Sequence, residues 1–231
     1  PVERACRHLN FLFNHWITRR RSLVALKVAR DATGRTVPLP GERWITGEAA
    51  RADVMRWRRL FPSIAVGAGT ALTDNPRLTA RLPSGEWCPE RLLLDRSGRT
   101  AGQGALNLFS DPHRARTVVA VDPRRAGAER LAWFRAQGLA IWEIPSEDFL
   151  AQVFTRATEA GWVGVMVEPG PALGQALLAA GLVDHGLLYT APAGRADPSS
   201  PAWLAAEPSW VDPDRLQLGP DSWVSGAWPR A

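Results

Sequence analysis

Short apolar runs alternate with segments of helical period along most of this 231-residue chain, and that alternation is the strongest constraint on its fold. Residues 23–29, 63–67, 91–94, 117–121, 139–144, 163–167 and 186–190 read as strands. Helices are expected between them over residues 47–61, 126–137, 146–160 and 171–180. Apolar strands of this kind need cover on both faces, and strand–helix–strand succession makes neighbouring strands parallel. The expected architecture is therefore α/β, a mostly parallel central sheet with helices on both faces. In the first of these helices Thr46 is placed as N-cap. Ala50, Val54, Trp57 and Phe61 share its apolar face, with Arg51 and Arg58 two turns apart off that face. A short helix over residues 5–13 and a basic linker precede the first strand. Residues 193–214 are rich in Pro, Ser, Ala and Asp and read as a long loop, and a last strand is expected over residues 223–228. The chain has no internal repeat.

Composition narrows the class. The chain is 45% hydrophobic and 22% charged, enough apolar material for one large domain or two small ones. No apolar run approaches the ~20 residues of a membrane span. The opening Pro1 to Arg7 carries neither a secretory-type apolar segment nor an initiator Met. A cytoplasmic chain is expected, trimmed or a piece of a longer one. Cys6 and Cys88 lie too far apart to form a CxxC or zinc spacing, so no metal is expected. The net charge is +5, but the arginines are scattered and no nucleic-acid motif is present, so a nucleic-acid partner is not expected. A modest positive field also suits anionic, phosphorylated ligands. Most of the eleven Trp are expected to be core or packing residues.

Three places could carry chemistry. The first is Lys27. Among 28 Lys plus Arg it is the only lysine, and it stands in the middle of an apolar strand. An ammonium is a compact donor whose pKa moves readily on burial; the competing reading is that some position had to hold the one lysine. The second is the run from Gly67 to Arg81, Gly-Ala-Gly-Thr-Ala-Leu-Thr-Asp-Asn-Pro-Arg-Leu-Thr-Ala-Arg. It starts where a buried strand ends, and open α/β sheets bind ligands at such ends. It is neither a GxGxxG element nor a P-loop, and a plain connecting loop with a turn at Asp74-Asn75-Pro76 is the alternative. The third is Glu168-Pro169-Gly170-Pro171, where a carboxylate ends a strand and Gly-Pro opens a helix. Proline suits the first helical position, and the free N–H groups there attract phosphate; the alternative is a simple joint with Glu168 solvated. No Gly-x-Ser-x-Gly elbow occurs, and His8, His15, His113 and His185 read as surface or capping residues.

In order along the chain, these segments resemble the reductase half of the bifunctional riboflavin-biosynthesis deaminase/reductase family, which has a dihydrofolate-reductase-like fold. The resemblance rests on Lys27-Val28-Ala29, Trp44-Ile45-Thr46, Ala50-Arg51-Ala52-Asp53-Val54 with Arg58, and Gly67 through Arg81. It continues through Leu94-Asp95, Glu168-Pro169-Gly170-Pro171-Ala172-Leu173 and Ala180-Gly181-Leu182-Val183-Asp184. Cys6-Arg7-His8-Leu9-Asn10 resembles the joint after the family's deaminase half. The resemblance covers residues 5–192. On it, residues 1–21 are a linker with a short helix following an absent deaminase half, and residues 22–231 are the reductase domain.

The resemblance implies an NADPH-dependent reduction that opens the ribose of a phosphorylated ribosylaminopyrimidine to a ribityl chain. Ala29, Trp44, Thr70, Asp74 and the turn Gly170, Pro171, Ala172, Leu173, Gly174, Gln175 and Ala176 would hold NADPH. Arg58, Leu78, Arg81 and Glu168 would hold the substrate, with the arginines on its phosphate. Lys27 would polarise the ribose oxygen, and Asp74 and Glu168 would position or relay the proton. A homodimer is expected, and a deaminase domain or subunit as partner. Nothing resembles His-x-Glu with Pro-Cys-x-x-Cys, so deamination is not expected of this chain. The sequence departs from the family at Thr33, where an Asp is usual, and around Arg43, where a substrate-contacting Ser is missing. Those departures leave two alternatives open: a reductase of the same fold with another heterocyclic substrate, or a non-catalytic domain partnering a deaminase.

Overall fold

A computed structural model describes residues 9–228. Its centre is strand β1 (Leu23–Asp31), flanked by β8 (Gly164–Val167) and β9 (His185–Ala191), both parallel to it. β2 (Ser63–Gly67), β5 (Glu90–Leu94), β6 (Thr117–Val121) and β7 (Ala140–Glu143) continue the parallel sheet beyond β8. On the other side β10 (Val211–Leu218) and β11 (Asp221–Ala227) add an antiparallel hairpin, giving the order β10-β11-β9-β1-β8-β2-β5-β6-β7. The expected α/β class and mostly parallel sheet hold.

Successive side chains of a strand face opposite sides, and β1 divides its residues between two cores. Leu23 and Ala25 join the core under α1 (Phe11–Arg19), α2 (Glu48–Leu60) and α5 (Pro123–Ala136). Val24, Leu26 and Val28 join the core under α6 (Phe149–Glu159) and α7 (Pro171–Ala179). Lys27 and Ala29 fall on the α2 side, where β1 is only partly buried. From β2 the chain steps outward to β7, then returns to insert β8 between β1 and β2. That reversal leaves the carboxyl ends of β8 and β2 side by side against the middle of β1, and carboxyl ends of strands are the place where open α/β sheets bind ligands.

Several expectations need correction. The helix expected over residues 5–13 lies partly outside the described residues; what is described runs from Phe11 to Arg19, so helix occupies most of the expected basic linker. Thr46 does not cap α2: Gly47 is the N-cap, and its N–H donates to Asp221 Oδ2 at 2.6 Å. Arg58, placed off the apolar face, is buried. The 67–81 run is not all loop. It holds α3 (Ala68–Asp74), closed by Asn75 in the left-handed conformation (φ 42°). It also reaches β3 (Ala80–Leu82), which pairs with β4 (Gly85–Trp87). The short helix α4 (Asn107–Ser110) was not expected either. The 193–214 loop ends in the first residues of β10, an edge strand whose Pro213 falls at a register shift, where proline is tolerated.

Some tryptophans pack on glycines, whereas Trp44 and Trp87 are exposed. A Cβ at Gly174 would run into the Trp203 indole, and one at Gly186 would run into Trp210 and lie 2.8 Å from Trp228. Gly186→Ala is therefore expected to destabilise the chain by about 1–3 kcal/mol, the usual cost of overpacking. Urea unfolding checks this, and an unchanged midpoint would show that the two indoles can move aside.

Candidate active site

Lys27, midway along β1, comes together with Glu168, the residue that follows β8. Lys27 Nζ stands 3.6 Å from Glu168 Oε2, and both side chains are largely buried. Glu168 is held by Arg58 through two bonds, Nε to Oε1 at 2.7 Å and Nη2 to Oε2 at 3.0 Å. Arg58 Nη1 donates to the Thr79 carbonyl at 3.1 Å. The fork–fork geometry is the strong form of a guanidinium–carboxylate pair. Arg58 thus reaches inward from α2 to fix Glu168.

The charges of this cluster are strongly coupled. Burial pushes the Glu168 carboxyl up, but Arg58 and Lys27 outweigh it and bring its pKa down to about 2. Glu168 is a carboxylate at any physiological pH. Burial pushes the Lys27 ammonium below its ordinary range; Glu168 opposes that, Arg58 adds to it, and Asp74 opposes it weakly. A lysine shifted this way is a stronger acid than a surface lysine. Desolvation raises the Asp74 carboxyl, with Glu168 adding and Arg43 and Lys27 opposing. Asp74, the last residue of α3, therefore shares the field of Lys27 and Glu168.

A second feature lies at the rim. Arg81, on β3, donates to Thr79 Oγ1 at 3.1 Å and is otherwise open. Its pKa is lowered by burial and by the neighbouring guanidiniums of Arg58, Arg77 and Arg43, with Glu86 the opposing carboxylate. Positive charge accumulates here, as a seat for a dianion requires. Arg43 and Arg51 flank the exposed Trp44 ring, 5.1 and 5.5 Å from its centroid. The departure at Arg43 therefore sits on this rim. The one at Thr33 does not: Thr33 N and Oγ1 both donate to Asp31 Oδ1, at 2.9 and 2.6 Å, within the turn after β1.

Of the expected cofactor residues, Thr70 and the turn from Gly170 to Ala176 form a seam between α3 and α7. Gly170 is the N-cap of α7, Pro171 opens it, and Ala172, Leu173, Gly174, Gln175 and Ala176 make its first two turns. A Cβ on Gly170 would lie 3.2 Å from Thr70 Oγ1, and one on Gly67 would lie 3.3 Å from Leu173 Cδ2. Glycine at both points lets a side chain of the other segment pack directly on bare backbone. The first N–H groups of α7 have no intrahelical acceptor and can take an anion. Ala29 lies two residues beyond Lys27 on the same face of β1. Leu78 is buried with φ 56°, a strained conformation for leucine, within the loop that leads to Arg81. A cavity of about 520 Å³ between α6 and α7, lined by Leu94, Arg96 and Phe149 among others, shares only Leu173 with these residues and holds none of the Lys27 cluster.

Other acidic residues of the recognised segments are structural. Asp95 accepts the N–H groups of Arg99 and Thr100, both at 2.8 Å. Asp184 takes a two-pronged bond from Arg21 and the Val24 N–H. Asp53 accepts from the Tyr189 hydroxyl at 2.7 Å and from the Trp57 indole at 3.2 Å. Sequence reasoning missed Tyr189, whose ring lies beside Lys27. The signal was available: Tyr189 is the only tyrosine, as Lys27 is the only lysine.

The RibD C-terminal domain model matches residues 26–194. The riboflavin biosynthesis protein RibD of Bacillus amyloliquefaciens is 31% identical over 233 residues, covering 95% of this chain and 61% of that protein. The chain thus spans about three fifths of that relative's length. Among solved structures, Acinetobacter baumannii RibD is 27% identical with TM-score 0.74, covering 96% of this chain and 62% of that one. The Saccharomyces riboflavin biosynthesis reductase Rib7, at 18% identity and TM-score 0.66, shares the fold over 96% of this chain and 99% of its own.

Proposed function

Because the chain belongs to the RibD C-terminal domain family, we propose that it is a nicotinamide-dependent reductase, using NADPH, that reduces 5-amino-6-(5-phosphoribosylamino)uracil to its ribityl product. A Thermotoga maritima neighbour of the same fold is described as a deaminase and reductase of this substrate class. The observation that carries the reading is the buried Lys27–Glu168–Arg58 cluster where the end of β8 meets the middle of β1, with an arginine-rich rim beside it.

NADPH, when bound, supplies a hydride to the sugar carbon that carries the amine. The fit is supported by the first N–H groups of α7, which no side chain caps and which suit a pyrophosphate. Thr70 lies beside Gly170 on that side, and the same reading assigns Ala29 and Trp44 to the cofactor. The chain's own work is on the ring oxygen. As the carbon is reduced, the bond to the ring oxygen breaks and negative charge develops there. The Lys27 ammonium stabilises that charge and donates a proton to it, made a better donor by its burial. Glu168 stays ionised throughout, so it aims Lys27 and accepts substrate donors but gives up no proton of its own. Asp74, with its raised pKa, is the residue suited to return a proton to the cluster. Arg81, with Arg43 and Arg77 near, holds the substrate phosphate. Arg58 contributes indirectly, since its fork is already on Glu168.

Arg81→Gln should raise KM for the phosphorylated substrate by about 10- to 100-fold, the scale of one charge-assisted hydrogen bond, and leave NADPH affinity unchanged. Steady-state NADPH oxidation with the phosphorylated substrate and its dephosphorylated form checks this. Equal KM for the two forms would remove the phosphate seat from Arg81. The departure around Arg43, where the family's substrate-contacting serine is missing, favours a second reading in which the fold and NADPH are kept and another heterocyclic substrate is reduced; NADPH binding without turnover of the pyrimidine is its signature. The same proposal includes a homodimer, a cytoplasmic location, and a deaminase on the same or a separate chain.

A further inference from the structure

The chain has one lysine and one tyrosine, and they are neighbours. Tyr189 pairs with Ala29 across β9 and β1, one step beyond Lys27 on the same face. Lys27 Nζ lies 6.0 Å from the centroid of its ring. The hydroxyl is anchored by Asp53, which the Trp57 indole N–H also holds. Asp53 and Arg58 both belong to α2. One helix therefore pins both neighbours of the lysine, Glu168 through Arg58 and Tyr189 through Asp53.

The groups facing the ammonium come from four elements: Glu168 after β8, Arg58 on α2, Asp74 on α3 and Tyr189 on β9. Arg58 repels it, and Glu168 has both oxygens engaged by Arg58. The Tyr189 ring adds an attractive surface to those of the Glu168 and Asp74 carboxylates. Burial, together with the Asp53 carboxylate, keeps that phenol neutral. The electron-rich face of such a ring attracts a cation, more strongly when the cation is desolvated. We propose that Tyr189, anchored by Asp53, is a positioning residue that holds the Lys27 ammonium opposite Glu168. The bland alternative is that Tyr189 only fills the core beside Trp223, its register partner in β11.

The catalytic meaning of this proposal rests on the reductase reading, but its physical content does not. Protein labelled with carbon-13 at the lysine ε position gives one side-chain signal, so the Lys27 titration can be followed by NMR without any turnover. Because the ring stabilises the charged form, its removal must lower the midpoint. Tyr189→Leu should lower it by about half to one pH unit. Tyr189→Phe keeps the ring and should stay within roughly 0.3 unit of the wild type. Biosynthetic replacement of tyrosine by a ring-fluorinated tyrosine alters position 189 alone. It weakens the ring face with little change of shape, and should also lower the midpoint. If Tyr189→Leu does not fold, the fluorinated protein decides the matter. An unchanged midpoint in the fluorinated protein overturns the proposal. In the turnover assay, the alkaline limb of kcat should move with the midpoint, whereas a uniform fall at every pH is what a purely structural role would give. A wild type that binds NADPH but never oxidises it would sink the reductase reading and leave the NMR result standing.

Discussion

Lys27→Met should fold, bind NADPH and turn over at least ~100-fold more slowly than the wild type, a loss of about 2.7 kcal/mol in transition-state stabilisation. Methionine has nearly the length of lysine and no charge, and the site is already lined by the apolar body of β1. Loss of the ammonium also relieves its desolvation, so folding should not suffer. What disappears is the only group in the cluster that can both face a developing oxyanion and give it a proton. Arg58 cannot substitute, because its fork is committed to Glu168 and Thr79 and a guanidinium does not release its proton. For the same reason Lys27→Arg should not restore turnover. Near-normal kcat in the Met variant would remove Lys27 from the chemistry.

Glu168→Gln should be the most destabilising single change in the site. It leaves Lys27 and Arg58 buried beside a neutral amide, and breaking a buried pair in this way typically costs about 3–5 kcal/mol. The pH dependence gives an independent check on the cause. The folded pKa of Glu168 is depressed to about 2 from an ordinary 4.5. A depressed carboxylate contributes stability that is fully present above its unfolded pKa and is lost as pH falls through the folded one. The wild type should therefore lose about 3 kcal/mol from this group as pH drops from about 4.5 to about 2. The glutamine variant has no such group to protonate. The stability gap between the two proteins, measured by urea unfolding, should be wide at pH 7 and narrow progressively through that window. A gap that stays constant down to pH 2 would mean that the cost arises from packing rather than charge.

The fold was largely legible because buried parallel strands announce themselves. The seven parallel strands lie where short apolar runs are bounded by turn residues. What was not legible has physical reasons. β10 is an exposed edge carrying Asp212, Pro213 and Asp214, a composition that reads as loop. β3 and β4 have three residues each, too few for any period to show. α3 was hidden by Gly67 and Gly69, read as loop formers, although Ala68, Thr70, Ala71 and Leu72 carry the helix at a cost of about 1 kcal/mol for the internal glycine.

The site was legible in kind but not in contact. Lys27 and Glu168 were singled out by isolation in a strand and by position at a strand end, and the structure brings them within 3.6 Å. Arg58 was assigned to a phosphate by chemical type, whereas its side chain turns inward onto Glu168. Helical spacing alone could not reveal that, since the partner lies 110 residues away in sequence. Tyr189 was overlooked among apolar strand residues, although the reasoning that isolated the one lysine applies equally to the one tyrosine.

The most direct measurement uses NADPH carrying deuterium at its reactive carbon, mixed with the chain and freshly deaminated ribosylaminopyrimidine phosphate. For a reductase of this kind, NADPH absorbance falls only when substrate is present, and one deuterium per turnover appears on the former anomeric carbon of a ribityl product. Substrate-independent oxidation, or tight NADPH binding with no transfer of label, would contradict the assignment.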